Sequence, residues 1–259
     1  MLLDRTLISS ILTLLPIWIF TQNLLPNPGF EQISTTGCTS PVEGFKKLEH
    51  WYHLDATPDL FQRSCPFDET EFAFWDESVE PFTGNNFIGL WSRWNSDDSY
   101  FSEGIAIKLA EPLQANTVYS FEMALLNQGS YQGLGGSFGC SLNPDKHIDL
   151  YISHDSIVVV NNFAQGSART EATQVASMHS EEVTADGSEG WKKVSTCFEA
   201  LGGEQYFAII LPLGSFGPLP PCAATQATSG VFRSFYYYLD EFSLTELAGG
   251  QAIEITICD

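Results

Sequence analysis

The chain has 259 residues, 13% of them aromatic, with 21 Gly and 13 Pro, which suits an all-β protein of one large sandwich or two small domains. Its 32 acidic and 11 basic residues leave a formal charge of −21, which argues against nucleic acid and against docking on anionic lipid. A soluble extracellular protein meeting divalent cations or neutral ligands fits that balance.

The first residues read as a secretion signal, residues 1–22. Arg5 supplies a minimal positive end, and residues 7–20 are mostly apolar before polar sequence begins at Gln22-Asn23. Asp4 and Pro16 depart from the pattern, and no Ala-x-Ala precedes the expected cut near Thr21 or Gln22. An uncleaved anchor is the alternative, although the run is short for a membrane span. Secretion, or display at the cell surface, is the expectation.

The mature chain opens with Asn23-Leu-Leu-Pro-Asn-Pro-Gly-Phe-Glu31, a turn-rich apolar run that ends on an acid. Residues 38–76 read as a long aromatic-rich excursion holding Trp51, Tyr52, Phe61, Phe72 and Trp75. Strand patterns follow over 103–109, 118–126, 147–153, 157–160, 191–200 and 206–211, with a weak one at 174–178. Two loops interrupt them, Gly-rich at 129–145 and Ser/Thr/Ala-rich and acidic at 161–190. Many short strands separated by Gly- and Asn-containing turns predict an antiparallel β-sandwich of jelly-roll type with long loops. The domain is expected over 23–247, leaving 248–259 as a tail or the start of another domain.

All six cysteines lie after the leader, which in an exported chain favours disulfides. Cys38 with Cys65 and Cys140 with Cys222 are the expected pairs, with Cys197 a buried free thiol. No Cys-x-x-Cys pair is present, and no His stands at ligand spacing from a Cys, so structural zinc is not expected.

Signals of catalysis are weak. Gly135-Gly-Ser-Phe-Gly139 matches a nucleophile elbow, but Cys140-Ser-Leu-Asn-Pro144 cannot start the required helix. His50 and His53 do not share a face in a strand, and acid pairs such as Glu69/Glu71, Asp97/Asp98 and Glu181/Glu182 are expected by chance among 32 acids. A non-catalytic protein is the expectation.

The closing pattern over 235–247 reads as a strand buried on at least one face, with Asp240 where alternation calls for a core residue. If the two ends of the chain lie side by side, Glu31 and Asp240 face each other and a calcium ion between them resolves both charges. Alternatively each acid caps a turn or pairs with Lys or Arg.

Those same two stretches, the opening one and Tyr236-Tyr-Tyr-Leu-Asp-Glu-Phe-Ser-Leu244, resemble the two ends of carbohydrate-binding jelly rolls of the family 4/9/22 type, within the galactose-binding-like superfamily. Between them, Trp51-Tyr-His-Leu-Asp-Ala-Thr-Pro-Asp-Leu-Phe61, Gly84-Asn-Asn-Phe-Ile-Gly89 and Trp191-Lys-Lys-Val-Ser195 resemble secreted cell-surface proteins of Bacteroidetes. The resemblance implies a structural Ca2+ ion held by Glu31 and Asp240. It also implies a polysaccharide or cell-surface glycan as partner, gripped by aromatic faces and polar side chains. Trp91 and Trp94, with Arg93, Asn95 and Asp97, are the first candidates, in a polar stretch expected just after a strand. The other reading has these tryptophans filling the sandwich edge. Trp75 and Tyr131 are further loop candidates, whereas Trp51 and Trp191 match framework positions and are expected in the core. A structural or interaction domain without a sugar site remains the alternative function, and a glycan-active hydrolase a third.

Overall fold

A computed structural model of the chain describes residues 22–55, 57–65, 79–94, 100–127, 148–160, 168–169, 172–178, 190–211 and 233–247. Within them the architecture is an antiparallel β-sandwich, as the strand patterns predict. In chain order the elements are helix α1 (Pro41–Phe45) and strands β1 (Trp51–Asp55), β2 (Asp59–Gln62), β3 (Asn86–Trp94), β4 (Tyr100–Ser102), β5 (Gly104–Lys108), β6 (Val118–Asn127) and β7 (Ile148–Ser153). They continue with β8 (Val159–Val160), β9 (Ala168–Arg169), β10 (Thr173–Met178), β11 (Lys192–Glu199), β12 (Tyr206–Ile210) and β13 (Arg233–Glu246). One sheet runs β1-β5-β12-β7-β10; the other runs β11-β6-β13-β3-β2, with β4 also paired to β3.

The core lies between the two sheets, built by strand alternation. Ile105 and Ile107 of β5, Leu150 and Ile152 of β7, and Phe207 and Ile209 of β12 face Phe121, Met123 and Leu125 of β6 and Ile88 and Leu90 of β3. Burial of side chains of this size is the dominant stabilising term, about 1.5–3 kcal/mol each. Both ends of the chain close the core together. Leu24 N–H donates to the Leu244 carbonyl at 2.9 Å, and Phe242 N–H to that of Pro28 at 3.0 Å. Phe30, Trp51 and Phe242 meet edge-on or tilted with centroids 5.0–5.5 Å apart, so Trp51 is a core residue, as expected.

The long excursion contains more order than its composition suggests, since α1, β1 and β2 all lie in it. The disulfide between Cys38 and Cys65 is present and ties its first part to the end of β2. Cys197 is disulfide-bonded rather than free, to a partner outside the described residues. It faces away from the core on β11, where Val194 and Phe198 take the inward positions, and it is half-buried. Cys140 and Cys222 lie outside the described residues, as do residues 1–21 and 248–259. Among the described residues no helix is long and apolar enough to cross a membrane.

Strand β13 changes face halfway along. Tyr237 and Leu239 point into the core, and so do Phe242 and Leu244, so the inward positions shift from odd to even. A bulge makes the shift: Asp240 pairs with Ala124 and Ser243 with Glu122, leaving Glu241 and Phe242 opposite Met123. Glu241 takes a left-handed backbone, φ 51°, uncommon for a residue with a side chain. Asp240 therefore does not replace a core residue. By alternation it belongs with Tyr236 and Tyr238 on the outer face.

Candidate functional site

The outer face of the six-membered sheet is aromatic. Phe61 of β2, Phe87 of β3, Leu126 of β6 and Tyr236 and Tyr238 of β13 form a separate buried cluster, with Val79, Trp91 and Trp191 partly buried against it. Phe61 and Phe87 stack at 4.9 Å, and Tyr238 meets both edge-on at 5.3 and 5.2 Å. Such pairs are favourable contacts of aromatic quadrupoles and give a rigid floor. Trp191 packs edge-on against Phe87 at 5.8 Å, and its indole N–H donates to the Glu80 carbonyl. Its expected core position is thus corrected: it precedes β11 and covers the outer face.

Near Trp91 the sheet edge is interrupted. The first half of β3 pairs with β2, from Asn86 to Gly89, and the last part with β4, from Ser92 to Trp94. Leu90 and Trp91 fall between the two partners. Glu103 fills this notch at the point where the chain leaves β4 for the other sheet. Its N–H donates to the Trp91 carbonyl at 2.9 Å, and its Oε2 accepts from the Trp91 N–H at 2.7 Å. The notch therefore keeps its backbone satisfied by one buried carboxylate.

A second carboxylate stands on the other side. Asp59 opens β2 opposite Gly89, and two residues along β3, about 7 Å, brings Trp91 onto the same face. Asp59 is only 6% exposed. Its Oδ2 accepts from the Tyr236 hydroxyl at 2.6 Å, whereas its Oδ1 has no hydrogen-bond partner. Burial pushes its carboxyl up to about 7, against the opposing pull of the Tyr236 hydrogen bond. The Tyr236 hydroxyl is raised well above its usual range by its own burial and by the nearby charges of Asp59 and Glu103.

The expected metal pair lies further along the same sheet, where Asp240 follows Tyr238 on β13. Glu31 and Asp240 bind one turn from two sides: Glu31 Oε1 accepts from the N–H groups of Asn85 and Asn86 at 2.7 and 3.0 Å, and Asp240 Oδ2 from that of Thr83 at 3.0 Å. Asp240 Oδ1 takes the Glu241 N–H at 2.7 Å, and the Thr83 hydroxyl donates to Glu241. Asp240 is fully buried, and its carboxyl is pushed up to about 7 by burial and then by the charges of Glu241 and Glu31. The acids are thus close enough to repel one another. All-oxygen donors with carboxylates to spare fit calcium, and the amide bonds leave further lone pairs available. Among the described residues no group of three or more His, Cys, Asp or Glu side chains stands close enough to hold an ion by itself, so main-chain carbonyls would have to complete the shell.

Of the expected sugar-binding residues, Trp91 is half-buried and lies inside β3, not after a strand. Arg93 and Trp94 close the same strand, paired with Ser234 and Arg233, and only their backbone is described. Asn95, Asp97, Trp75 and Tyr131 lie outside the described residues, as do residues 135–139 and the acid pairs at 69/71, 97/98 and 181/182. His50 and His53 are both exposed. The residues that frame Trp91, namely Asp59, Glu103 and Tyr236, escaped the sequence reading. The one local signal was Gly89, a glycine inside an apolar strand run.

No family model matches the chain, and no curated protein matches it. Solved structures do. The K2 cleaved adhesin domain of Lys-gingipain aligns at TM-score 0.42 and 13% identity, over 84% of this chain and 96% of that one. A Stig cyclase, Fisc, from Fischerella sp. TAU aligns at 0.41 and 15%, over 86% and 96%. The CBM22-1 xylan-binding domain of Xyn10C from Paenibacillus barcinonensis aligns at 0.36 and 11%, over 80% and 90%. At such scores these likenesses carry no argument, and function must be read from the chain's own geometry.

Proposed function

We propose that the chain is a secreted, non-catalytic module that binds a polysaccharide or cell-surface glycan on the outer face of the six-membered sheet, with a structural calcium ion at its closed end. The observation that carries this reading is Trp91, a half-exposed indole on a rigid aromatic floor, framed by Asp59, Glu103 and Tyr236. Flat aromatic faces pack on the C–H faces of sugar rings, while carboxyl oxygens accept hydrogen bonds from sugar hydroxyls. The resemblance of both chain ends to carbohydrate-binding jelly rolls supports the same reading.

Hydrolysis is the weaker reading. A glycosidase needs two carboxylates presented to one bond, and Glu103 commits Oε2 to the Trp91 amide. The calcium ion would take Glu31 and Asp240, lock the turn at 82–86 against β13 and leave the chemistry of the face unchanged.

Isothermal titration of the secreted chain against xylohexaose, cellohexaose and N-acetylchitohexaose tests the module. Binding of at least one sugar, lost in Trp91→Ala with folding retained, is the expected result. No heat with any of the three removes the reading.

A further inference from the structure

Strand β2 is four residues long and forms one edge of the six-membered sheet. One end of it is fixed covalently, since Cys65, just past Gln62, is bridged to Cys38. The other end begins with Asp59, which is 6% exposed and whose Oδ2 takes the Tyr236 hydroxyl of β13 over Gly89. Its Oδ1 is buried without a hydrogen bond. A neutral carboxyl is tolerated in such a site, whereas an ionised one is a buried charge with too few donors. A short edge strand, paired on one side alone, is also the kind of segment that opens without unfolding the rest.

Among the described residues the groups around the acid bring no free cation to balance it. From β13 come the phenols of Tyr236 and Tyr238 and, further along, the carboxyl of Asp240. Gly89 of β3 stands opposite and offers no side chain. Glu103, where the chain leaves β4, adds another carboxyl, and Glu31 binds the start of β3. On α1, which packs on β2, Glu43 pairs with Lys46, and just beyond it Lys47 reaches the Gly37 carbonyl. Past the end of β2, Arg63 is paired with Glu80.

We infer that Asp59 is a pH-operated latch on the sheet edge: with its proton it holds the near end of β2 against β3, and on releasing that proton to water it carries that end of the strand into solvent. The step breaks the carboxyl O–H bond and leaves its electron pair on the oxygen. Burial sets the direction. It raises the carboxyl from 3.8 to about 7, against the pull of the Tyr236 hydrogen bond, so the stability that the closed edge draws from the neutral acid is full below 3.8 and lost as the pH rises through about 7. The Tyr236 hydroxyl is itself raised by burial and keeps its proton over this range. Opening uncovers Leu60, Phe61 and the β3 edge from Asn86 to Gly89, with the disulfide end as its pivot. The latch does not depend on the glycan reading.

Hydrogen–deuterium exchange of the full secreted chain in chelator, at pH 5 and pH 8, tests it, each rate being divided by the intrinsic rate at that pH. Protection over residues 59–63 is expected to fall about tenfold or more between the two, and at pH 8 to lie about tenfold or more below that of residues 119–126 in β6. Asp59→Asn keeps the shape of the side chain and cannot ionise, so the fall should shrink about fivefold or more. Protection over 59–63 that holds steady in the wild type, falls equally in Asp59→Asn, or matches β6 at pH 8 overturns the latch. If Asp59→Asn fails to fold, Tyr236→Phe decides. It removes the hydrogen bond that Oδ2 accepts, a loss greater for an ionised acid than for a neutral one. A fall steeper than in the wild type supports the latch, and an equal or shallower one overturns it.

Discussion

The hydroxyl of Tyr236 donates to the carboxylate of Asp59 at 2.6 Å from the far side of an intervening strand, over the backbone of Gly89. Strands β13 and β2 are both neighbours of β3 and never pair with each other. This hydrogen bond is a direct side-chain link between them, and it lies on the face where ligand binding is proposed.

Gly89 is therefore irreplaceable on steric grounds. In Gly89→Ala the added carbon meets the tyrosine oxygen at 1.9 Å, so the hydroxyl must swing away and the Asp59 bond is lost. The expected cost is about 1–3 kcal/mol, read as a lower urea midpoint. Gly29→Ala, where nothing stands within 4 Å of the added carbon, is the control and should change little.

Asp59 makes stability fall as pH rises. Its carboxyl titrates near 7 in the folded chain against 3.8 for the ordinary group, so between these values the folded state holds the extra proton. Stability contributed by the neutral acid is full below about 4, declines through 7 and is gone above it. Asp59→Asn should flatten that decline and raise the melting temperature at pH 8, by on the order of a few kcal/mol of stability. Thermal melts at pH 4.5, 6 and 8 in chelator check it, and an unchanged pH profile in the mutant would remove this role for Asp59.

At the closed end, calcium is expected to raise the melting temperature of the wild type over that in chelator. Asp240→Ala should abolish the response, because it removes the most deeply buried of the acids around residues 83–86. Absence of any calcium effect in the wild type would leave the two acids as turn-binding carboxylates only, the role that their amide hydrogen bonds already fill.

The Cys38–Cys65 bond closes a loop of 27 residues that carries α1, β1 and the edge strand β2. Cys38→Ser should cost about 2–4 kcal/mol. Because Phe61 of β2 belongs to the floor against which Trp91 packs, the affinity for the bound sugar should fall with it. A mutant with full affinity and lower stability would show that β2 stays paired to β3 without the bridge.

Much of this was readable from residues alone. Period-two alternation sets β5, β6, β7 and β13 close to their observed ends, because each turns every second large apolar side chain into the core. The opening and closing stretches are neighbours, as their matching patterns predict. Composition fixed the sandwich class, since Gly, Asn and Pro can close the turns that short strands require. What the chain could not disclose was set by contacts between distant residues. The bulge at Glu241 moves Asp240 from an apparent core position to the outer face, and a one-residue change of parity leaves no mark in the local pattern. The notch arises because two separate strands, β2 and β4, share one edge of β3. Asp59, Glu103 and Tyr236 are separated by up to 177 positions, so only the packed sheet places them around one tryptophan. Local preference writes strands and turns; which polar atoms end up buried together is decided by tertiary pairing.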